Sequence, residues 1–352
     1  DVFYECKSLT SITIPQKIKV IAERMFMKCE KLKSITLNNC EYINQEAFSE
    51  CIGLVSFDTA KVRYIREEAF SKCYNLAELT FGYNTISLAQ RSFELCTSLT
   101  TVKLPQDLVD FLSSAFSKCS NLKSILLSDS VRDVSVSGFT DCDKLVEINV
   151  DESNSDYKSV DGVLFSIGGL TLYYYPRGKS SDAYDVPDET LIIGPYAFNN
   201  NSFLKTVNLP DTIEKIKNNA FQFCVNLESV KFPGNLREIG EKAFYKCERL
   251  KDVVFPANVT SIGDNSFDGC LGIKTISFPD NIKYIGSEAF AFCDELTSVS
   301  YNGRLDAQYS GLAFENCTKF SKILVSSDYL HKSFIGYSFN KDGTVNNPSS
   351  EN

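Results

Sequence analysis

The stretch Ile239-Gly240-Glu241-Lys242-Ala243-Phe244-Tyr245-Lys246-Cys247-Glu248-Arg249-Leu250-Lys251-Asp252-Val253-Val254-Phe255-Pro256 decides the architecture. Its skeleton returns 23 residues later as Ile262, Phe267, Cys270, Ile273, Ile276, Phe278 and Pro279. A fixed period of this length marks a solenoid, because one such unit cannot bury its apolar side without a copy on each flank. The marker phenylalanines run Phe3, Phe26, Phe48, Phe70, Phe93, Phe116 and Phe139, then Phe198, Phe221, Phe244, Phe267, Phe290 and Phe314. Most of their spacings are 22 to 24 residues, and the one long gap, from Phe139 to Phe198, signals an insertion.

Two local patterns fill each unit. Leu99-Thr100-Thr101-Val102-Lys103-Leu104 alternates apolar and polar residues and reads as a short strand, one per coil, stacked into a parallel sheet. Ile-x-x-x-Ala-Phe-x-x-Cys, as in Ile65 to Cys73, places Phe and Cys at i and i+3. That spacing predicts a single helical or 3-10 turn with polar residues between them facing solvent. The expected fold is therefore an α/β solenoid of about fourteen coils, sheet on one face and short helical turns on the other, plus a β-hairpin insertion. Its expected layout is a coil array over 1–150, the insertion over 151–185, a second array over 186–325, a cap over 326–340 and a disordered tail over 341–352.

The totals narrow the function. The net charge is −9 with basic residues scattered, which argues against nucleic acid. No apolar run is long enough to span a membrane. The first residues enter in the middle of a unit, so we expect a fragment or processed form of a longer chain. Twelve of thirteen cysteines fall three residues after a marker phenylalanine. A column like that points inward once per coil, with side-chain vectors parallel, which does not give the disulfide dihedral. The expectation is a ladder of reduced thiols packed as small hydrophobes, with Cys40 filling a different apolar slot. No metal or cofactor is expected. The chain has a single histidine, His331, without ligand spacing around it, and Asp151 to Asp156 departs from the EF-hand calcium loop at Asp156 and Gly162. No catalytic motif is present and no enzyme is expected.

The insertion contains Asp161-Gly162 and Gly168-Gly169 between alternating apolar runs, which reads as a small β-meander standing off the coils. Two surfaces are candidates for a protein partner. The first is the outward face of the sheet, sampled by Ser229, Lys231, Asp252 and Val254, then Thr275, Ser277, Ser298 and Ser300. It is mostly small hydroxyl residues and poor in hot-spot types. The second is the insertion, whose Tyr157, Tyr173, Tyr175 and Arg177 serve either as an interaction knob or as staples onto the coils.

The unit Ile-x-x-x-Ala-Phe-x-x-Cys-x-x-Leu-x-x-Ile-x-Ile-Pro resembles the BspA-like leucine-rich repeat over about residues 1–325. The segment Tyr157 to Phe165 with Tyr174-Tyr175-Pro176-Arg177-Gly178-Lys179 resembles a hairpin module that recurs in that family. The resemblance implies a surface or secreted protein that binds host cells or extracellular matrix proteins without catalysis. A spacer that holds other domains away from a surface is the alternative, and an enzyme with an unrecognised carboxylate pair is a distant third. The resemblance departs at Asn201, where the column otherwise carries cysteine.

Overall fold

In a computed structural model, backbone torsion explains how each coil closes. The structure describes residues 2–111, 114–134, 136–251, 253–304 and 306–346. The chain divides into two compact units, Asp1–Gly168 with Pro176–Lys179, and Gly169–Tyr175 with Ser180–Asn352.

Around most marker phenylalanines, the residues two before and two after lie in the left-handed region. In one coil these are Glu68 at φ 53° and Lys72 at φ 62°, around Phe70. Each left-handed residue flips the next peptide plane, so alternate N–H groups point out of the turn. Glu68, Phe70 and Lys72 donate to the carbonyls of Gln90, Ser92 and Glu94 in the following coil, at 3.1, 2.8 and 2.8 Å. The N–H groups between them, of Ala69, Ser71 and Cys73, close i−3 turns within the coil. The helical or 3-10 turns expected on this face are therefore not what forms. Helix would keep every donor inside its own turn, whereas stacking rewards donors that reach the neighbour. Among the described residues the one helical element is the four-residue 3-10 turn Val136–Phe139.

Each coil also carries more strand than the alternation suggests. In the first unit Val20–Ile21, Tyr42–Ile43, Tyr64–Ile65, Ser87–Leu88 and Asp110–Phe111 form a five-stranded parallel sheet. The isoleucine that opens the expected helical turn is thus the end of a second, two-residue strand. The longer strands lie on another face: Ser11–Ile14 pairs Ser34–Leu37, Ser56–Thr59 pairs Glu78–Phe81, and Ser124–Leu127 pairs both Thr101–Lys103 and Glu147–Val150. Register advances one repeat per strand, as in Ile12 opposite Ile35. The second unit repeats the scheme, with Thr206–Asn208 beside Ser229–Lys231 and Thr275–Phe278 beside Ser298–Tyr301.

The core is a stack of rings. In the first unit Phe3, Phe26, Phe48, Phe70, Phe93 and Phe116 are stacked with centroids 5.1–5.3 Å apart and planes within 11°. In the second, Tyr175 leads Phe198, Phe221, Phe244, Phe267 and Phe290. Ring spacing follows the strand spacing of about 4.8 Å, since one backbone carries both. All thirteen cysteines are free. Their role is more than filling space: each column thiol donates to the phenylalanine carbonyl of the preceding coil, as Cys96 Sγ does to Phe70 O at 3.3 Å and Cys247 Sγ to Phe221 O at 3.1 Å. Phe70 O already accepts Cys73 N–H at 3.2 Å, so the thiol uses its second lone pair.

Two expectations change here. Thr171–Tyr174 runs parallel to Ile192–Ile193, and Ala183–Asp185 parallel to Thr206–Asn208. These parts of the insertion therefore belong to the ladders of the second unit and do not stand off them. An unpaired strand edge would leave donors unsatisfied, and joining an existing ladder satisfies them. The hairpin signal at Asp161-Gly162 is correct: Tyr157–Val160 pairs antiparallel with Val163–Ser166 around left-handed Asp161 and Gly162. The tail expected to be disordered from 341 is paired as far as it is described. Ile323 N donates to Gly343 O at 2.8 Å, and Val345 N to Ser321 O at 3.0 Å, closing the open edge of Lys322–Val325; residues 347–352 of that expectation lie outside the described residues. The cap completes the other ladder. Tyr337 Oη accepts the Phe314 N–H at 3.0 Å, standing in for the carbonyl that a further coil would supply. Phe334 stacks on Tyr301 at 4.8 Å.

Candidate functional site

The longer strands of the second unit put two columns of alternate residues on its surface, because successive side chains on a strand point to opposite faces. Thr206 lies beside Ser229 and Asn208 beside Lys231; Thr275 lies beside Ser298 and Ser277 beside Ser300. Val254 bridges to Ser277. Asp252, placed on this face by the sequence, lies outside the described residues. Lys231, Thr275 and Ser277 are exposed, and Ser229, Ser298 and Ser300 half-exposed.

Val254 is the anomaly. It is 71% exposed on a face made mostly of hydroxyls and amides, where Leu324, beside Ser300, is the next apolar residue at 49%. Beside it opens a recess of about 390 Å³ lined by Thr206, Asn208, Ser229, Lys231, Phe232, Val254 and Pro256. Phe232 and Val230 beneath it are buried. The geometry is an apolar floor with a hydroxyl rim and one ammonium at its edge, the composition of a small protein-contact site. Its polar atoms are partly engaged: Thr206 and Ser229 hydroxyls meet at 3.5 Å, and Asn208 Nδ2 donates to Asp185 at 2.6 Å.

The residues expected on the insertion fare differently. Tyr157 is buried in the first unit, where its hydroxyl accepts the Val134 N–H at 3.2 Å and donates to Arg132 O at 3.1 Å. Tyr175 is 1% exposed because it is the first ring of the second unit's stack, and burial pushes its phenol up to about 12. Arg177 bonds Asp141 at 2.7 Å and Asp143 at 3.2 Å, with its side chain only 15% exposed. These three are engaged by the chain's own coils, as the staple reading expects. Tyr173 remains half-exposed. The local sequence could not separate the two outcomes, since a tyrosine at a stack position looks like any other.

Reactive chemistry is sparse. Burial raises the pKa of buried column thiols, with Cys73 and Cys142 pushed up to about 12. Among the described residues no group of three His, Cys, Asp or Glu side chains is placed to hold a metal. The Asp151 to Asp156 loop is tied down by Asn154, which donates to Ser128 O and Val131 O and accepts from Asp156 and Tyr157 N–H. His331 rests edge-on against Tyr329, with ring centroids 5.6 Å apart. A wide recess of about 850 Å³ includes Asp280, Asp306 and Asp328. Asp306 in it accepts the Ile335 N–H at 3.0 Å, and Asp328 pairs with Arg304 at 3.5 Å, so these two carboxylates serve the cap region. No helix is long and apolar enough to cross a membrane among the described residues.

One surface feature escaped the sequence reading. The residues around the marker phenylalanines were expected to be polar, yet Tyr196, Phe223 and Phe292 are 38–45% exposed on the turns of the second unit. The signal was available as an aromatic residue two places after Phe221 and Phe290, where most other coils carry Glu, Lys, Asp or Asn.

The fold matches solved structures. A leucine-rich cell surface protein from Faecalibacterium prausnitzii is 29% identical, covering 83% of this chain and 79% of that one, with a TM-score of 0.69. The pneumococcal vaccine antigen PcpA is 26% identical over 92% of this chain and 70% of its own, with a TM-score of 0.50. A leucine-rich repeat protein from Eubacterium ventriosum shares the fold at 18% identity and a TM-score of 0.67, over 95% of this chain and 93% of that one. No curated protein matches the chain. The family model for the BspA type leucine-rich repeat region matches residues 1–61, 41–160, 177–297 and 237–346, in six copies. That repeat family is generally non-enzymatic, and with the Faecalibacterium protein named a cell surface protein the match points to a surface or protein-interaction role. The stacked rings, thiol column and paired strands of both units accord with that match, and the chain belongs to the BspA type leucine-rich repeat family.

Proposed function

We propose that this chain is an extracellular or cell-surface adhesion module that binds a host-cell or extracellular matrix protein, and that the outward sheet face of the second unit makes the contact. The observation that carries the reading is Val254. An aliphatic side chain 71% exposed at the rim of an apolar-floored recess costs hydration free energy that a partner would recover. Lys231 sets a charge beside it, and Ser229, Thr275, Ser277, Ser298 and Ser300 supply a flat rim of adaptable hydroxyls. Membership in the repeat family supports a protein partner, and the Faecalibacterium relative is named a cell surface protein.

The test is binding of the whole chain to cultured epithelial cells and to immobilised fibronectin, laminin and collagen. Saturable binding is expected, reduced about tenfold or more by Val254→Asp with Lys231→Glu, since central contacts dominate an interface. Absence of saturable binding, or binding indifferent to both substitutions, overturns the reading and favours a spacer, whose sheet face would be silent to mutation.

A further inference from the structure

We propose that the turn face of the second unit is a separate peptide-docking ridge, built from Phe223, Tyr245, Lys246 and Phe292, that takes a segment carrying a carboxylate among apolar side chains. It does not share residues with the Val254 recess.

Backbone strain is the first argument. Phe223 and Phe292 sit two places after a stacked ring, at φ 60° and 51°. The left-handed region costs a residue with a Cβ about 1–2 kcal/mol, least for Asn. The coil does not ask for an aromatic there: Asn200 and Asn316 hold the same position at φ 57° and 56°. Nor do the rings serve the core, for Phe223 is 38% and Phe292 45% exposed. The torsion belongs to the position, which Lys28, Leu95 and Lys118 hold as well, so what sets these two rings apart is their exposure, and that directs attention to what they meet outside.

The second argument is the placement of Lys246. Its ammonium lies 5.8 Å from the Tyr245 ring centroid and 5.7 Å from that of Phe292, while Phe223 packs edge-on against Tyr245 at 5.5 Å. Gly269, in the next coil, makes this reach possible. A Cβ on Gly269 would stand 2.6 Å from Lys246 Cδ, so only glycine leaves room for the lysine stem to cross toward Phe292. Among the described residues Lys246 forms no ion pair, whereas Lys217 pairs with Glu238 and Lys242 with Glu241. The result is a cation held between two ring faces that makes no ion pair among the described residues and has the Asp268 carboxylate as a more distant neighbour.

Chemistry then selects the partner. A carboxylate would pair with Lys246, and aliphatic or aromatic side chains on either side of it would cover Phe223 and Phe292. The chain's net charge of −9 opposes a broadly acidic partner at long range, so the match is to one or two carboxylates set among apolar residues.

Selection of phage-displayed short random peptides on the full chain tests this. Enriched peptides are expected to carry Asp or Glu next to Phe, Leu, Ile or Trp. They should lose about tenfold or more in affinity for Lys246→Gln and for the Phe223→Asn/Phe292→Asn double variant, and keep it for Val254→Asp. The double variant should melt no lower than the parent, because asparagine tolerates the left-handed region better. Absence of enrichment, peptides without the acidic–apolar signature, or binding indifferent to these substitutions overturns the proposal. So does a lower melting temperature of the double variant, which would show that the rings serve the fold.

Discussion

Two places after most of its stacked phenylalanines the first unit carries a charged residue, Glu5, Lys28, Glu50, Lys72 and Lys118, with Leu95 the exception, and the second carries Asn200, Phe223, Lys246, Gly269 and Phe292. The backbone does the same thing at every one of these positions, with φ between 51° and 73°. The side chains do not. In the first unit they form cross-coil ion pairs, Lys28 to Glu5 at 3.4 Å and Lys72 to Glu50 at 3.0 Å, joined by Lys118 to Glu94 at 2.8 Å. In the second they form an exposed aromatic ridge. The coil dictates torsion and leaves the side chain free, so this face can be closed by charge pairing or left open for a partner. Inside, too, the units differ: the second adds a ladder of Phe232, Phe255 and Phe278, stacked at 5.9 Å and edge-on to Phe244, Phe267 and Phe290.

The sharpest way to break the comparison is at the core rings. Phe70→Ala in the first unit and Phe244→Ala in the second should each cost about 3–5 kcal/mol, because both rings are fully buried between stacked neighbours. Coupling in a repeat array is nearest-neighbour. Hydrogen exchange should therefore show lost protection in coils flanking the substitution, within the unit that bears it. Uniform loss across both units would contradict two separately described bodies of nearest-neighbour coils.

A smaller effect belongs to the second unit alone. Asp268 is 6% exposed, one of its carboxylate oxygens has no partner among the described residues, and burial raises its pKa above the ordinary value of 3.8. A raised carboxyl binds its proton more tightly in the folded state. Its contribution to stability is therefore present below pH 3.8 and is lost as pH rises through the folded-state pKa. Asp268→Asn should stabilise the chain by about 1 kcal/mol near neutrality. The gain should shrink as the pH falls below the ordinary value, measured by urea denaturation at a series of pH values. A gain that does not change with pH would mean that the orphaned oxygen, and not its charge, sets the cost.

The least effect is expected on the first unit's turn face. Lys72→Ala removes an ion pair whose partners are 43% and 32% exposed, and should cost well under about 1 kcal/mol. The difference should vanish in molar salt, as read by thermal melting. A large, salt-independent loss would mean that the ladder is part of what closes the coil, and the contrast with the ridge would fail.

Much of this was legible in the residues. Period, stack position and inward thiols followed from Phe and Cys three apart, because burial must repeat when the backbone repeats. The antiparallel hairpin followed from Asp161-Gly162, whose φ values of 50° and 77° are what that dipeptide favours. The turns were misread because Phe and Cys at i and i+3 share a face in a helix and also in a pair of turns. What separates the two is where Glu68, Phe70 and Lys72 send their N–H groups, and that partner is one repeat away. Tyr157, Tyr175 and Arg177 stayed open between knob and staple for a related reason: their partners, Val134, Phe198 and Asp141, are 23 or more residues distant.

By itself, then, the order of residues determined that each coil repeats, which side chains its interior takes and which of them alternate outward on the longer strands, since these depend on the polarity of neighbours along the chain. Tertiary structure alone decided that the turns hold left-handed residues in place of helix, that the insertion's later strands enter the second unit's ladders, and that Lys246 lies over Gly269 between two rings. Those outcomes depend on contacts between successive coils, where a donor, an acceptor or a missing Cβ in one coil sets the conformation of the next.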